Sequence, residues 1–70
     1  MIIKIQRSLS SSDGKAHFLI YDESRRVMLE GDLVPELADL MGDDHKIYAE
    51  ATLQPDGLVS IGRRVEAQPW

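Results

Sequence analysis

Seventy residues, a formal charge of -4 and no cysteine allow one small globular domain, 1–70, and exclude disulfide staples and cysteine-containing zinc sites. A chain this short buries only about 60 % of the surface its unfolded form exposes, so self-association is the expected source of further stability. The negative charge weighs against a general nucleic-acid binder, because non-specific affinity comes from neutralising phosphates with Lys and Arg.

Met1-Ile2-Ile3-Lys4-Ile5 is charged too early for a signal-peptide apolar region. No run approaches the roughly 20 apolar residues that a bilayer-spanning helix needs. The chain therefore reads as cytoplasmic. Residues Ile2 to Ser8 alternate, with Ile3 and Ile5 on one side and Lys4 and Gln6 on the other, which predicts a first strand with one wetted face. Leu9-Ser10-Ser11-Ser12-Asp13-Gly14 breaks that pattern with turn formers and reads as a solvated connection. A phosphate-cradling loop would want a helix N-terminus after it, and the next residues look like strand.

Lys15 to Asp22 is that strand, and Phe18-Leu19-Ile20-Tyr21 is apolar on both faces, the mark of a central strand covered on each side. Asp22-Glu23-Ser24-Arg25 reads as a polar turn. Arg26 to Glu30 then predicts a third strand, with Val27 and Leu29 on one face and Met28 on the other, ended by Gly31-Asp32. Pro35 to Met41 is the one helix. Proline suits its first turn, Glu36 lies near the positive end of its dipole, and Gly42 is placed to close it from the left-handed conformation. Val34, Leu37, Ala38 and Met41 form its apolar stripe, which Leu40 broadens. Two turns cannot stand alone, so that stripe must lie on the sheet.

Lys46 to Val65 is a hairpin by its period of two. Ile47, Ala49, Ala51 and Leu53 share one face, and Tyr48, Glu50, Thr52 and Gln54 share the other. Pro55-Asp56-Gly57 makes the turn, with proline presetting one φ and glycine free to take a positive one. Val59 and Ile61 carry the apolar face onward. An isolated hairpin is marginal in water, so the remaining strands and the helix must back it.

The expected fold class is mainly β: a small five-stranded antiparallel sheet, or a partly open barrel, with one short helix between strands 3 and 4. This element order resembles the oligonucleotide/oligosaccharide-binding (OB) barrel, in which a helix commonly sits at that point. A second resemblance lies in the letters. Met1-Ile2-Ile3-Lys4-Ile5-Gln6, Leu40-Met41-Gly42, Lys46-Ile47-Tyr48-Ala49-Glu50-Ala51 and Trp70 are together similar to a group of short bacterial and phage proteins with no attached activity. That likeness bears on source and size alone.

No catalytic pattern stands out. The serines at 8, 10, 11, 12, 24 and 60 and the histidines at 17 and 45 form no nucleophile elbow and no forced triad. Paired carboxylates need a cleft that separates their pKa values, and this chain has little volume for one. No enzyme activity, cofactor or metal is expected. Asp43-Asp44-His45 is the nearest approach to a ligand cluster and lacks further donors unless the fold brings His17 or Asp39 to it. His17 itself, alternating with Leu19 and Tyr21, reads as a half-buried residue with one hydrogen bond.

Charge is uneven along the chain. From Asp22 to Asp44 eight acidic residues face two arginines, a balance of -6, while the rest holds six basic and four acidic residues. The expected function is a non-enzymatic interaction module that binds itself or another protein through Phe18, Tyr21, Tyr48 and Trp70. Trp70 combines apolar area with an N–H donor and suits a packed edge or an interface. Arg63-Arg64 reads as a solvated strand end or a bulge, and either arginine is also placed to pair with the acidic segment 39–44 of a twin subunit. Two alternatives stand beside this. One is a single-strand nucleic-acid binder using those aromatic rings with Lys4, Lys15, Arg63 and Arg64. The other is an acidic mimic of nucleic acid built on residues 22–44.

Overall fold

A computed structural model describes residues 1–9 and 16–70. The chain runs β1 (Ile2–Leu9), β2 (Ala16–Tyr21), β3 (Val27–Asp32), α1 (Pro35–Met41), β4 (Lys46–Leu53) and β5 (Val59–Val65). All strand neighbours are antiparallel, in one open sheet ordered β3-β2-β1-β4-β5. The five strands and the helix between the third and fourth match the expected class, and the sheet is open.

Alternation sorts the side chains onto two faces. Ile5 of β1 sits in register between Ile20 of β2 and Ile47 of β4, and Ile3 lies opposite Ala49. These residues, with Ala51, Leu37 and Met41, form the core, so α1 covers this face. Lys4, Gln6, Leu19, Tyr21, Tyr48 and Glu50 lie on the opposite, outer face.

The middle strand is β1. β2, with its two apolar faces, is second from the edge. Phe18 and Ile20 pack toward the helix, while Leu19 and Tyr21 are half-buried on the outer face. Long side chains of neighbouring strands supply their cover, as where the Lys4 ammonium lies 4.5 Å from the Tyr21 ring centre. Composition alone does not separate that kind of cover from a second packed layer.

β3 differs in two ways from its expected form. It continues through Gly31 to Asp32, with Gly31 opposite Phe18. A bulge also shifts the register, so that Leu29 faces Ile20 but Val27 faces Tyr21. Because Ile20 and Tyr21 are consecutive and point opposite ways, Val27 and Leu29 are split between the faces, and Met28 packs against the core. The preceding turn is built on Asp22, whose carboxylate accepts from the backbone N–H of Ser24 and of Arg26.

Leu37 and Met41 are the buried helix positions, and Val34 is the N-cap with no side-chain cap. Gly42 ends the helix at φ 58° as expected, yet its ψ of -127° lies outside the left-handed helical basin, in a region that glycine alone enters freely. The last turn carries no basic residue. Arg7 of β1 supplies the charge, donating from Nη2 to the Gly42 carbonyl at 3.2 Å.

The β4–β5 hairpin forms as alternation predicts through Val59 and Ile61, but a bulge shifts the register between Ala49 and Ala51, so that Arg64 stands opposite Ala49. Gly57 N–H donates to the Gln54 carbonyl, Gly57 has φ 89°, and the Asp56 carboxylate accepts from Leu58 N–H. Ile47, Ala49 and Ala51 are buried.

Candidate interaction surface

The curl of the sheet leaves an apolar groove of about 440 Å³ on the helix face. Phe18 and Ile20 form its floor, and Leu37 and Leu40 of α1 form one wall. Leu29 of β3 stands on one lip, and Val59 and Ile61 of β5 stand on the other. The two outermost strands therefore border the same hollow although they occupy opposite ends of the sheet. Among the described residues each pairs with a strand on one side only, so each presents a row of main-chain donors and acceptors along the groove. Leu29 is 44 % and Val34 41 % exposed at the rim, which is apolar surface the fold itself does not cover. Glu36 is the one charged side chain in the lining.

The four aromatic residues singled out from the sequence divide between the faces. Phe18 lines the groove. Tyr21, Tyr48 and Trp70 are on the other side of the sheet, where Lys4 is the in-register neighbour of both tyrosines. Tyr48 is only 4 % exposed. The Trp70 ring meets it edge-on at 5.3 Å, and its hydroxyl donates to the main-chain oxygen of Trp70. Residues 66–70 thus cross the outer face and close over Tyr48 within the same chain. Lys46 lies 6.0 Å from the Tyr48 ring centre.

The basic residues are largely engaged. Arg63 Nη2 donates to Glu50 Oε1 at 3.3 Å, and Arg64 pairs with Asp44. The arginine and acidic-segment contact expected between subunits is thus made, for Arg64, inside one chain. Lys15 lies outside the described residues. His17 is half-buried, with Nδ1 3.4 Å from Asp32 Oδ1. Asp44 is held by Arg64 and the His45 carbonyl accepts from Arg7 N–H. Among the described residues no three acidic, histidine or cysteine side chains converge on one point.

The sequence did not mark Leu29, Val59 and Ile61 as partners in one surface. Each is visible as an apolar strand position, but their meeting depends on which strands become edges. No helix among the described residues is long and apolar enough to cross a membrane. Neither a family model, nor a curated protein, nor a solved structure matches this chain.

Proposed function

We propose that this chain is a non-catalytic interaction module whose contact surface is the groove between α1 and the β3 and β5 edges, with a polypeptide as its ligand. The observation that supports the reading is the coincidence of an apolar hollow with two unpaired strand edges. Side chains entering the hollow gain burial, and backbone lying along either lip gains main-chain hydrogen bonds. A small polar metabolite has little to hold it among Phe18, Ile20, Leu37 and Ile61. A nucleic-acid strand would need free rings and free cations on one face, and here Tyr48 is covered, Phe18 lies on the opposite face and Arg64 is paired with Asp44.

The test is site-specific photo-crosslinking. A benzophenone side chain replacing Leu40, on the groove wall, is compared with one replacing Thr52, exposed on the outer face of β4. The reading expects a discrete protein adduct from position 40 that is absent from position 52. Identical patterns from both positions, or adducts to nucleic acid alone, would overturn it.

A further inference from the structure

We infer that the polypeptide in this groove is a second copy of the same chain, docked about a two-fold axis so that β3 of each copy runs beside β5 of the other. The inference rests on the groove reading above and specifies its partner.

The two open edges are chemically opposite. On the outer face of β3 stand Glu30 and Asp32, across from Leu19 and His17. On the outer face of β5 stands Arg63, beside Glu50, whereas Arg64 lies opposite the buried Ala49 on the helix side and pairs with Asp44. On the helix side Leu29 of β3 and Val59 and Ile61 of β5 are apolar. Each copy therefore holds one acidic edge and one basic edge, and each edge has apolar residues beneath it. A single chain supplies both halves of a complementary seam.

The direction of the strands agrees with the position of the charges. Four antiparallel steps separate β3 from β5 in the order β3-β2-β1-β4-β5, so the two edges run the same way. A two-fold axis along the strands preserves that direction, and both seams of the dimer are then parallel pairs. In a parallel pair the acidic second half of β3 lies beside Arg63 in the second half of β5. An antiparallel pair would set Glu30 and Asp32 beside the Val59 end instead. Symmetry and charge thus select the same pairing.

Such a dimer closes on itself. Two copies have four open edges, and two β3–β5 seams cover all of them, leaving no edge to propagate a filament. The grooves then face one another, which covers Leu29 and Val34. The Arg63–Glu50 pair does not compete strongly, because the arginine is 79 % exposed and such pairs are weak in water.

Charge exchange at the seam tests this with the full chain. Sedimentation is measured across the micromolar range for the wild type, for Glu30→Arg, for Arg63→Glu, and for an equimolar mixture of the two variants. Both positions are exposed, and circular dichroism checks that each variant is folded. The expected result is a wild-type dimer whose affinity falls at least about tenfold in either variant and returns in the mixture, where both seams again join unlike charges. A dimer indifferent to both substitutions, or variants that the mixture does not restore, overturns the arrangement. A wild type that stays monomeric also overturns it. In that case a protein adduct from position 40 keeps the groove reading with a different partner, and its absence removes both.

Discussion

Shortening Ile5 by one methyl group tests the side-chain alternation on which the sheet is built. Ile5 has no solvent exposure and lies on the central strand between Ile20 and Ile47, so the space left by Ile5→Val has no flexible neighbour at the surface to fill it. Removing one buried methyl group costs about 0.8 kcal/mol in transfer, and the residual cavity brings the expected loss to about 1 kcal/mol. A domain of this size is stable by roughly 4 to 10 kcal/mol, so the loss is readily measured. Urea unfolding at one fixed protein concentration should show the midpoint falling by about 1 M for a slope near 1 kcal/mol/M, and the melting temperature by about 4 to 8 °C. The control is Ile2→Val, the same chemical change three residues away on the outer face, opposite Glu50, where less than about 0.5 kcal/mol is expected. Equal losses at the two positions, or a larger one at Ile2, would refute the assignment of faces.

Gly57→Ala should destabilise by about 1 to 2 kcal/mol in the same titration because φ is 89° there, whereas Arg25→Gly should be neutral or stabilising by up to about 1 kcal/mol because Arg25 sits at φ 64°. Tyr48→Phe should cost about 1 kcal/mol through loss of the hydroxyl bond to Trp70, and Tyr48→Ala should shift Trp70 emission to the red; unchanged emission would mean that residues 66–70 do not lie over Tyr48. Arg64→Ala should cost less than about 1 kcal/mol, with the difference shrinking in high salt, because Arg64 and Asp44 are both about half exposed.

What could be read from the sequence was local. The hairpin follows from alternation around Pro55-Asp56-Gly57, and α1 follows from Pro35, the Leu37 and Met41 spacing and Gly42. Each signal involves residues close in sequence whose geometry is set by backbone sterics. The bulge at Met28 was not legible, because it arises from how β3 meets β2 and leaves no mark in Val-Met-Leu-Glu. Nor was the place of β1 in the middle of the sheet. Its outer face carries Lys4 and Gln6, which look like wetted positions, while β2 looked more central on composition. Of the candidate contact residues, Phe18 alone lies in the groove. Trp70 and Tyr48 attracted notice as large aromatic residues, and the fold uses them to cover one another. The groove itself depends on two strands far apart in the chain both becoming edges.

Amide exchange followed as a function of protein concentration tests the open edges most directly. Amides of β1, bonded to strands on both sides, should exchange slowly at every concentration. Those of β3 and β5 that make no bond to β2 or β4 should exchange fast in dilute solution and slow as the protein is concentrated and the seams form. Protection of both edges that persists undiminished on dilution would mean that β3 and β5 close onto each other within one chain, and the groove would then have no free lips to offer a partner.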